Sequence, residues 1–414
     1  MTGEEWNEFL VSSIRTLHER QLFRSLRPLI PTGSSVVAHL PVDDPTPIKL
    51  FSLNDYLGLA THPRVRTAAA EAYAMYGNGP RASALIAGYT THHRELETSL
   101  ADLKSTEECL LFPTGFAANM AVVSSLAVQG TTVFSDQLNH ASIVDGTRLG
   151  KQLGTNAVQI YKHNDLQHLE SLLINPQPRG KNRDAHHRQV VVTDALFSMD
   201  GDYADLEGLA RLKQKYGFLF AVDEAHSTLV CGPRGAGAAA AAGIEHLVDL
   251  QIGTLSKAFG CMGGFVACSR QWKEYFVNLG RAQVFSTALP VPVVVAAHTA
   301  LHVSYEEPWR QRHVDQLMQR VGRGLQGKGL GGVGGQVHSP IIPVVLGDEK
   351  RTMDAAAALW KRGYHVPGIR PPTVPVGSSR LRISLSAAHS TADVDGLVRE
   401  ILDCCCESSG RSRL

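Results

Sequence analysis

Lys257 is the side chain in this sequence that is best placed for covalent chemistry. It lies between hydroxyl residues and glycines in the segment 254–260, directly after the largely apolar run 247–253. That run predicts a buried strand, so Lys257 is expected in a turn at the carboxyl end of a strand, where open α/β sheets bind ligands. Taken alone, the same segment would also suit a surface lysine in a glycine turn.

A second strand is predicted at 218–222, and it ends in Asp223, with His226 three residues further on. A lysine and a carboxylate at neighbouring strand ends are what pyridoxal phosphate (PLP) requires. The lysine forms a Schiff base with the cofactor, and the aspartate pairs with its protonated ring nitrogen. Singly, Asp223 could cap a helix and His226 could pack in a core. Together, and followed by Lys257 in this order, they predict a PLP site.

The order of these motifs resembles that of the PLP-dependent α-oxoamine synthases, and the resemblance covers about residues 51–397. It implies a fold-type I α/β architecture, in which a mostly parallel seven-stranded sheet lies between helices and a smaller α+β domain follows. The implied regions are an N-terminal helix and linker (1–48), a large PLP-binding domain (49–289), a small C-terminal domain (290–405) and a tail (406–414).

The resemblance also assigns the contacts of the cofactor. Gly115 and Phe116 follow a predicted strand and begin a predicted helix, whose free amides suit a phosphate. The family stacks a histidine, here His140, on the pyridine face, where it can also touch substrate. A serine at the position of Ser198 hydrogen-bonds the phenolate side. The implied catalytic residues are Lys257, His140, Asp223 and His226. The implied cofactor-binding residues are Lys257, Gly115, Phe116, His140, Ser198, Asp223, His226, Thr254, Ser286 and Thr287.

The resemblance also predicts how subunits assemble, and the sequence departs from the family at one position. The segment 284–290, which contains Ser286 and Thr287, resembles one that reaches the phosphate of the other subunit's cofactor, and so implies a homodimer with shared active sites. Glu224 stands where many members have a second aspartate. It keeps the charge, so the exchange is expected to matter little.

Substrate contacts are implied towards both ends of the chain. Asn54 lies in a segment that resembles the family's entry into the large domain, and Arg27 is nearest to an arginine that the family uses for the amino acid. Arg370 can pair a carboxylate through two hydrogen bonds, and Thr373 contacts substrate. A solvated basic helix end is an equal alternative for Arg27, and a Pro-rich extended edge is the alternative for Arg370. The implied substrate-binding residues are Arg27, Asn54, His140, Arg370 and Thr373.

The Arg-Pro-Pro-Thr form at 370–373 favours the branch of the family that condenses L-alanine with pimeloyl-CoA, or with a pimeloyl carrier-protein thioester, in biotin biosynthesis. Lys257, once released from the cofactor, would be the base at the α-carbon of alanine. Sister activities stay open: glycine C-acetyltransferase, 5-aminolevulinate synthase and a serine palmitoyltransferase subunit. A non-catalytic partner subunit also stays open, although the intact Lys257, Asp223 and His140 argue against it. A nicotinamide oxidoreductase is disfavoured, because the glycine spacings at 77–82 and 329–334 follow helical patterns rather than strands.

The composition argues against several other classes of function. Lys+Arg 40 against Asp+Glu 39 gives a net charge of +1, so there is no bulk electrostatic case for nucleic-acid or membrane binding. Seven cysteines without a Cys-x-x-Cys pair predict a reducing compartment and no metal site. The run Cys404, Cys405 and Cys406 is assigned no function.

The two ends of the sequence give an expectation about location. The first residues are acidic and lack a signal or transit pattern. The last three, Ser412-Arg413-Leu414, are a conservative variant of the C-terminal Ser-Lys-Leu address. We therefore expect a peroxisomal location through the import receptor that reads this address, with the cytoplasm as the alternative.

Overall fold

The structure is a computed structural model that describes residues 3–20, 22–41, 47–128, 130–152, 157–176, 188–328, 330 and 336–406. The predicted address at 412–414 and the glycines of the motif at 329–334 lie outside the described residues. In the described part of the chain, no helix combines the length and the apolar character that crossing a membrane requires.

Helices and strands alternate through most of the chain. The helices are α1 (Gly3–Glu19), α2 (Pro63–Tyr76), α3 (Thr91–Lys104), α4 (Gly115–Leu126), α5 (Ala141–Gln152), α6 (Leu166–Ile174), α7 (Leu206–Tyr216), α8 (Ala238–Ala241), α9 (Arg270–Leu279), α10 (Arg281–Val284), α11 (Val291–Glu306), α12 (Trp309–Leu325), α13 (Glu349–Lys361) and α14 (Thr391–Cys406). The strands are β1 (Ile30–Pro31), β2 (Val37–His39), β3 (Pro47–Leu50), β4 (Glu108–Phe112), β5 (Thr131–Asp136), β6 (Ala157–Tyr161), β7 (Arg188–Asp194), β8 (Leu219–Asp223), β9 (Leu250–Thr254), β10 (Gly264–Cys268), β11 (Ile341–Gly347), β12 (Tyr364–His365), β13 (Gly368–Ile369) and β14 (Ser379–Ser384).

The largest sheet has seven strands in the order β4-β10-β9-β8-β7-β5-β6. Strands β5 to β9 pair in parallel, whereas β10 pairs antiparallel with both of its neighbours. The central strands are apolar on both faces, since helices cover both sides of the sheet. The predicted mostly parallel seven-stranded sheet is therefore confirmed.

Two smaller sheets accompany the large one. An antiparallel sheet in the order β11-β14-β13 packs with α12, α13 and α14 around a second apolar core. A four-stranded sheet joins β1, β2 and β3 to β12. Helix α11 belongs to the core of the large sheet, where its Val294, Ala297 and Leu301 cluster with residues of α3. The predicted domain boundaries stay a prediction.

Parallel pairing brings polar side chains together at one edge of the large sheet. Asp136, Asp194, Asp223 and Thr254 are the last residues of β5, β7, β8 and β9. The register pairs Asp194 with Asp223. Because the carboxyl ends of parallel strands meet at the same edge, the sheet itself places these side chains side by side.

Glu224, the residue after β8, belongs to a buried ion pair. Its Oε2 atom lies 2.6 Å from Nζ of Lys104, and both side chains are fully buried. Lys104 also donates to Oγ1 of Thr228 and to the carbonyl of Ala236, and the amide of Ala239 donates to Glu224. The carboxylate is therefore committed to holding the turn after β8 against α3.

We expect Lys104→Met to lower the free energy of unfolding by about 3–5 kcal/mol, because it leaves the Glu224 charge buried without its partner. Urea denaturation measures the change. Replacing both partners, in Lys104→Met/Glu224→Leu, should recover much of the loss. The exposed Lys361→Met is the control. A midpoint for Lys104→Met equal to that of the control would contradict the assignment.

Candidate active site

A cavity of about 240 Å³ opens at the edge of the sheet where β7, β8 and β9 end. It brings together the four predicted catalytic residues, Lys257, His140, Asp223 and His226. The remaining lining residues are Thr114, Gly115, Phe116, Asn119, Ser142, Asp194, Leu196, Ala225, Thr254 and Ser256. A larger groove of about 870 Å³ near the amino ends of β7 and β8 contains none of the predicted site residues.

Lys257 is the amine of this cavity. Desolvation lowers its pKa to about 8, although the nearby carboxylates of Asp223 and Asp194 act in the opposite direction. The charge of Arg382 lowers it further. A lysine with this pKa has an appreciable uncharged fraction near neutral pH, which is the form that reacts with an aldehyde or takes up a proton.

Asp223 is held rigidly at the floor of the cavity. Its side chain accepts a hydrogen bond of 2.6 Å from Nδ2 of Asn119 and one of 2.8 Å from the amide of Ala225. Nδ2 of Asn119 also donates to Oγ of Ser142. Next to it, burial and the charge of Asp223 raise the pKa of Asp194 well above its usual value. Asp194 is thus driven towards the neutral form.

The two histidines are neutral and oriented by their neighbours. The amide of Ser142 donates to Nδ1 of His140, and burial lowers the pKa of His140. Nδ1 of His226 lies 2.7 Å from Oη of Tyr56, and burial lowers the pKa of His226 well below its usual value. Both rings therefore use Nδ1 for protein contacts, which leaves Nε2 for a ligand.

An anion site lies at the start of α4. A helix gives its first amides no internal partner, and Thr114 caps those of Ala117 and Ala118, which leaves Gly115 and Phe116 for a ligand. A Cβ atom on Gly115 would lie 2.8 Å from Cβ of Thr254, so glycine allows the helix to approach the hydroxyl of Thr254. The free amides at the start of α4 suit a phosphate, and the hydroxyl of Thr254, which donates to the carbonyl of Gly263, lies beside them.

These features fit PLP. Lys257 offers the amine that its aldehyde needs, Asp223 the carboxylate for its ring nitrogen, and the start of α4 the cradle for its phosphate. The fit rests on the chemistry of the lining residues and on the close approach of Gly115 to Thr254.

Ser198 and Asn54 lie beside the cavity rather than among its lining residues. The carbonyl of Ser198 accepts a hydrogen bond from Nε of Arg382. Oδ1 of Asn54 accepts from Oη of Tyr56 at 3.2 Å and from Nη2 of Arg382 at 3.5 Å. Asn54 is thus connected through Tyr56 to His226. The hydrogen bond predicted between Ser198 and the cofactor stays a prediction.

The predicted substrate residue Arg27 contacts an aromatic ring, and its role towards substrate stays a prediction. Arg27 lies over the ring of Trp360, at 5.4 Å from its centroid. Arg24 reaches the predicted substrate segment, since its Nη2 donates to Oγ1 of Thr373 at 3.2 Å. Arg370 in turn donates to the carbonyl of Phe23. The segment after α1 therefore packs on the Arg-Pro-Pro-Thr loop.

Ser286 and Thr287 lie away from the cavity of their own chain. Thr287 forms an isolated bridge with Ser83. Both residues line a separate small recess together with Glu97. Their predicted role towards a partner subunit is not tested by this single chain.

Sequence reasoning missed three polar residues around the cavity. Arg382 had a signal, since a buried strand seldom contains arginines, and both Arg380 and Arg382 lie in β14. Asp194 ends a buried strand in the same way as Asp223. Asn119 had no signal, because an asparagine within a helix has no distinctive spacing.

A comparison with protein families matches residues 46–401 to the aminotransferase class I and II family. The chain belongs to this family. A relative within it, an 8-amino-7-oxononanoate synthase from Arabidopsis thaliana, is 49% identical over 369 residues, which are 86% of this chain and 74% of that protein.

Solved structures extend the family likeness to the fold. A serine palmitoyltransferase variant from S. paucimobilis with a bound PLP–myriocin aldimine superposes with a TM-score of 0.85 at 26% identity, over 98% of each chain. An 8-amino-7-oxononanoate synthase from Francisella tularensis gives a TM-score of 0.73 at 25% identity, over 87% of this chain and 99% of that one. The predicted fold-type I architecture is confirmed.

Proposed function

We propose that this chain is a PLP-dependent acyltransferase that condenses L-alanine with pimeloyl-CoA, or a pimeloyl carrier-protein thioester, to give 8-amino-7-oxononanoate, the free thiol and CO₂. The observation that carries the proposal is the cavity in which Lys257, Asp223 and His140 meet. It lies in a chain 49% identical to an 8-amino-7-oxononanoate synthase.

Bound in this cavity, PLP supplies an electron sink for the charge that develops at the α-carbon of alanine. Lys257 would hold the cofactor, and its free amine would take the α-proton of alanine. Its pKa of about 8 suits a base that works near neutral pH. Asp223 would keep the ring nitrogen charged, and His140 would restrain the ring.

The carboxylate of alanine is received by Arg382 together with Asn54. The Arg382 side chain is nearly fully buried. Its Nε donates a hydrogen bond to the carbonyl of Ser198, and its Nη1 donates one to Oγ of Ser384. The positive charge of Arg382 lowers the pKa of Lys257. A buried guanidinium held by hydrogen bonds can orient the carboxylate of alanine until it is lost as CO₂.

The reaction balances without an oxidant or reductant. A bond forms between the α-carbon of alanine and the thioester carbonyl carbon, and the carbon–sulfur bond breaks to release the thiol. The bond to the carboxylate then breaks, and CO₂ leaves. A proton returns to the α-carbon, and Lys257 and the neutral His140 line the cavity as carriers for it.

The free carboxylate of the pimeloyl chain has a candidate site at the Arg-Pro-Pro-Thr loop. Arg24 donates to Thr373 of this loop, and Arg370 of the loop donates to the carbonyl of Phe23, so the two guanidinium groups lie in the contact between the loop and the segment after α1. Nε of Arg370 is buried and has no hydrogen-bond partner among the described residues. Acetyl and palmitoyl chains carry no such carboxylate, so this loop would favour a dicarboxylic acyl group.

We also propose a homodimer. Helix α1 has no buried residue among those described, and Trp6 and Phe9 on it are more than half exposed. Phe285, next to Ser286, is 73% exposed. In a dimer that covers these side chains, Ser286 and Thr287 of one subunit would contact the phosphate of the cofactor bound to the other subunit. The fold supports this reading, since fold-type I enzymes are typically dimers.

The first test of the proposed function is thiol release by the PLP-loaded protein with L-alanine and pimeloyl-, acetyl-, succinyl- or palmitoyl-CoA. We expect kcat/KM for pimeloyl-CoA to exceed the others by more than about tenfold. A preference for another thioester would move the chain to a sister activity. No release from any CoA ester, nor from a pimeloyl carrier protein, would favour a non-catalytic subunit.

A further inference from the structure

Outside the cavity, His163 lies between two carboxylates. Nδ1 of His163 is 3.0 Å from Oδ1 of Asp136, and Nε2 is 2.8 Å from Oδ2 of Asp202. Asp136 is 1% exposed and ends β5, whereas Asp202 lies in the loop 197–202 after β7. We call these three side chains the Asp136–His163–Asp202 clamp.

Both ring nitrogens of His163 must donate to satisfy two carboxylates, which requires the charged imidazolium. Burial alone would lower the pKa of His163, but the bonds and charges of Asp136 and Asp202 outweigh it and raise the pKa to about 10. The uncharged Asn164 also binds both carboxylates: its backbone amide donates to Asp136, and its Nδ2 donates to Asp202. The clamp is therefore a cation held between two anions.

The loop that the clamp holds is the one on which β14 docks. Arg380 pairs with Asp200 and donates to the carbonyl of Met199, and Arg382 donates to the carbonyl of Ser198. Opposite them, Asp202 of the same loop is tied to β5 through His163. The loop thus connects the edge of the large sheet to the strand that carries Arg382.

The loop has little freedom on its remaining side. Oγ of Ser339 donates to the carbonyl of Gly201 at 2.8 Å. A Cβ atom on Gly201 would lie 2.0 Å from the carbonyl oxygen of Ile341. Because the small sheet is pressed this closely against the loop, a shift of Asp202 would be passed on to β14 rather than absorbed.

We propose that His163 is a positioning residue for the amino-acid substrate: the Asp136–His163–Asp202 clamp fixes the loop 197–202, and the loop fixes Arg382 at the place where it receives the substrate carboxylate. The inference rests on the proposed function for the role of Arg382. His163 is not among the residues lining the cavity, so its effect on the substrate would pass through the loop 197–202 to Arg382.

The test compares His163→Gln and Asp202→Asn with wild type, with the exposed His246→Gln as matched control. L-alanine is titrated into each PLP-loaded protein without thioester, and binding is followed by the change in cofactor absorbance. We expect the half-saturating alanine concentration to rise about ten- to a hundredfold in His163→Gln, since small misplacements of a positioning group have effects of this size. The rise should be smaller in Asp202→Asn, which keeps a hydrogen-bond acceptor.

A second readout is the pH dependence of stability. An unfolded histidine titrates near about 6.5, and the folded pKa of His163 is about 10. The native state therefore binds the proton more tightly, so the clamp stabilises the fold fully below pH 6.5 and this contribution is lost as pH rises through 10. The difference in urea midpoint between wild type and His163→Gln should shrink between pH 6 and pH 9.5.

Alanine binding like that of wild type in both clamp variants, even with lowered stability, would overturn the inference and leave the clamp a structural feature only. If His163→Gln does not fold, Asp202→Asn decides in the same way. A failure of the proposed function looks different: wild type itself would then show no absorbance change with L-alanine.

Discussion

Lys257→Ala is expected to lose activity by roughly four orders of magnitude or more, because the substitution removes both the amine that holds the cofactor and the base at the α-carbon. The visible absorbance of lysine-bound PLP should vanish, and reduction with borohydride should no longer fix the cofactor to the chain. The pKa of about 8 for Lys257 gives the wild type the uncharged amine that this linkage needs.

Lys350→Ala is the control, since Lys350 is an exposed lysine of the surface pair with Asp354. It should keep the absorbance and the activity of wild type. Retention of the visible band in Lys257→Ala would remove Lys257 from its assigned role, whatever the effect on rate.

Asp223→Asn is expected to give the second largest loss. The change removes the charge that faces the ring nitrogen, and it leaves one acceptor oxygen for the two hydrogen bonds that Asn119 and Ala225 donate. Losing one partner of a buried charged pair costs about 3–5 kcal/mol, which corresponds to roughly two to three and a half orders of magnitude in rate. Exchange of the α-proton of L-alanine for deuterium measures the step directly.

Asp354→Asn provides the matched control on the surface. Cofactor occupancy, read from absorbance at saturating PLP, separates weaker binding from slower chemistry. Proton exchange at the wild-type rate in a fully loaded Asp223→Asn protein would contradict the pairing of Asp223 with the ring nitrogen.

The residues at strand ends could be predicted because parallel strands bring their carboxyl ends to one edge. Asp223 and Thr254 each follow an apolar run that is readable in the sequence, and Lys257 follows in the next turn. Gly115 was predictable for a similar reason, as the junction between a buried strand and a helix. The structure brings these four residues around one cavity.

The contacts between distant segments could not be predicted in the same way. Arg382 reaches Asn54 across 328 positions, and no periodicity links the two. Arg24 meets Thr373 only because the chain after α1 returns to the Arg-Pro-Pro-Thr loop. The order of motifs pointed to Arg27, and its contact with substrate stays a prediction.

The most direct test of the account is the fate of the carboxyl carbon of alanine. The PLP-loaded protein is given L-alanine labelled at its carboxyl carbon together with pimeloyl-CoA, and the labelled CO₂, the thiol released and the amino-ketone product are measured together. We expect one CO₂ and one 8-amino-7-oxononanoate for each thiol. Thiol release with the label retained in the product, or without an amino ketone, would contradict it.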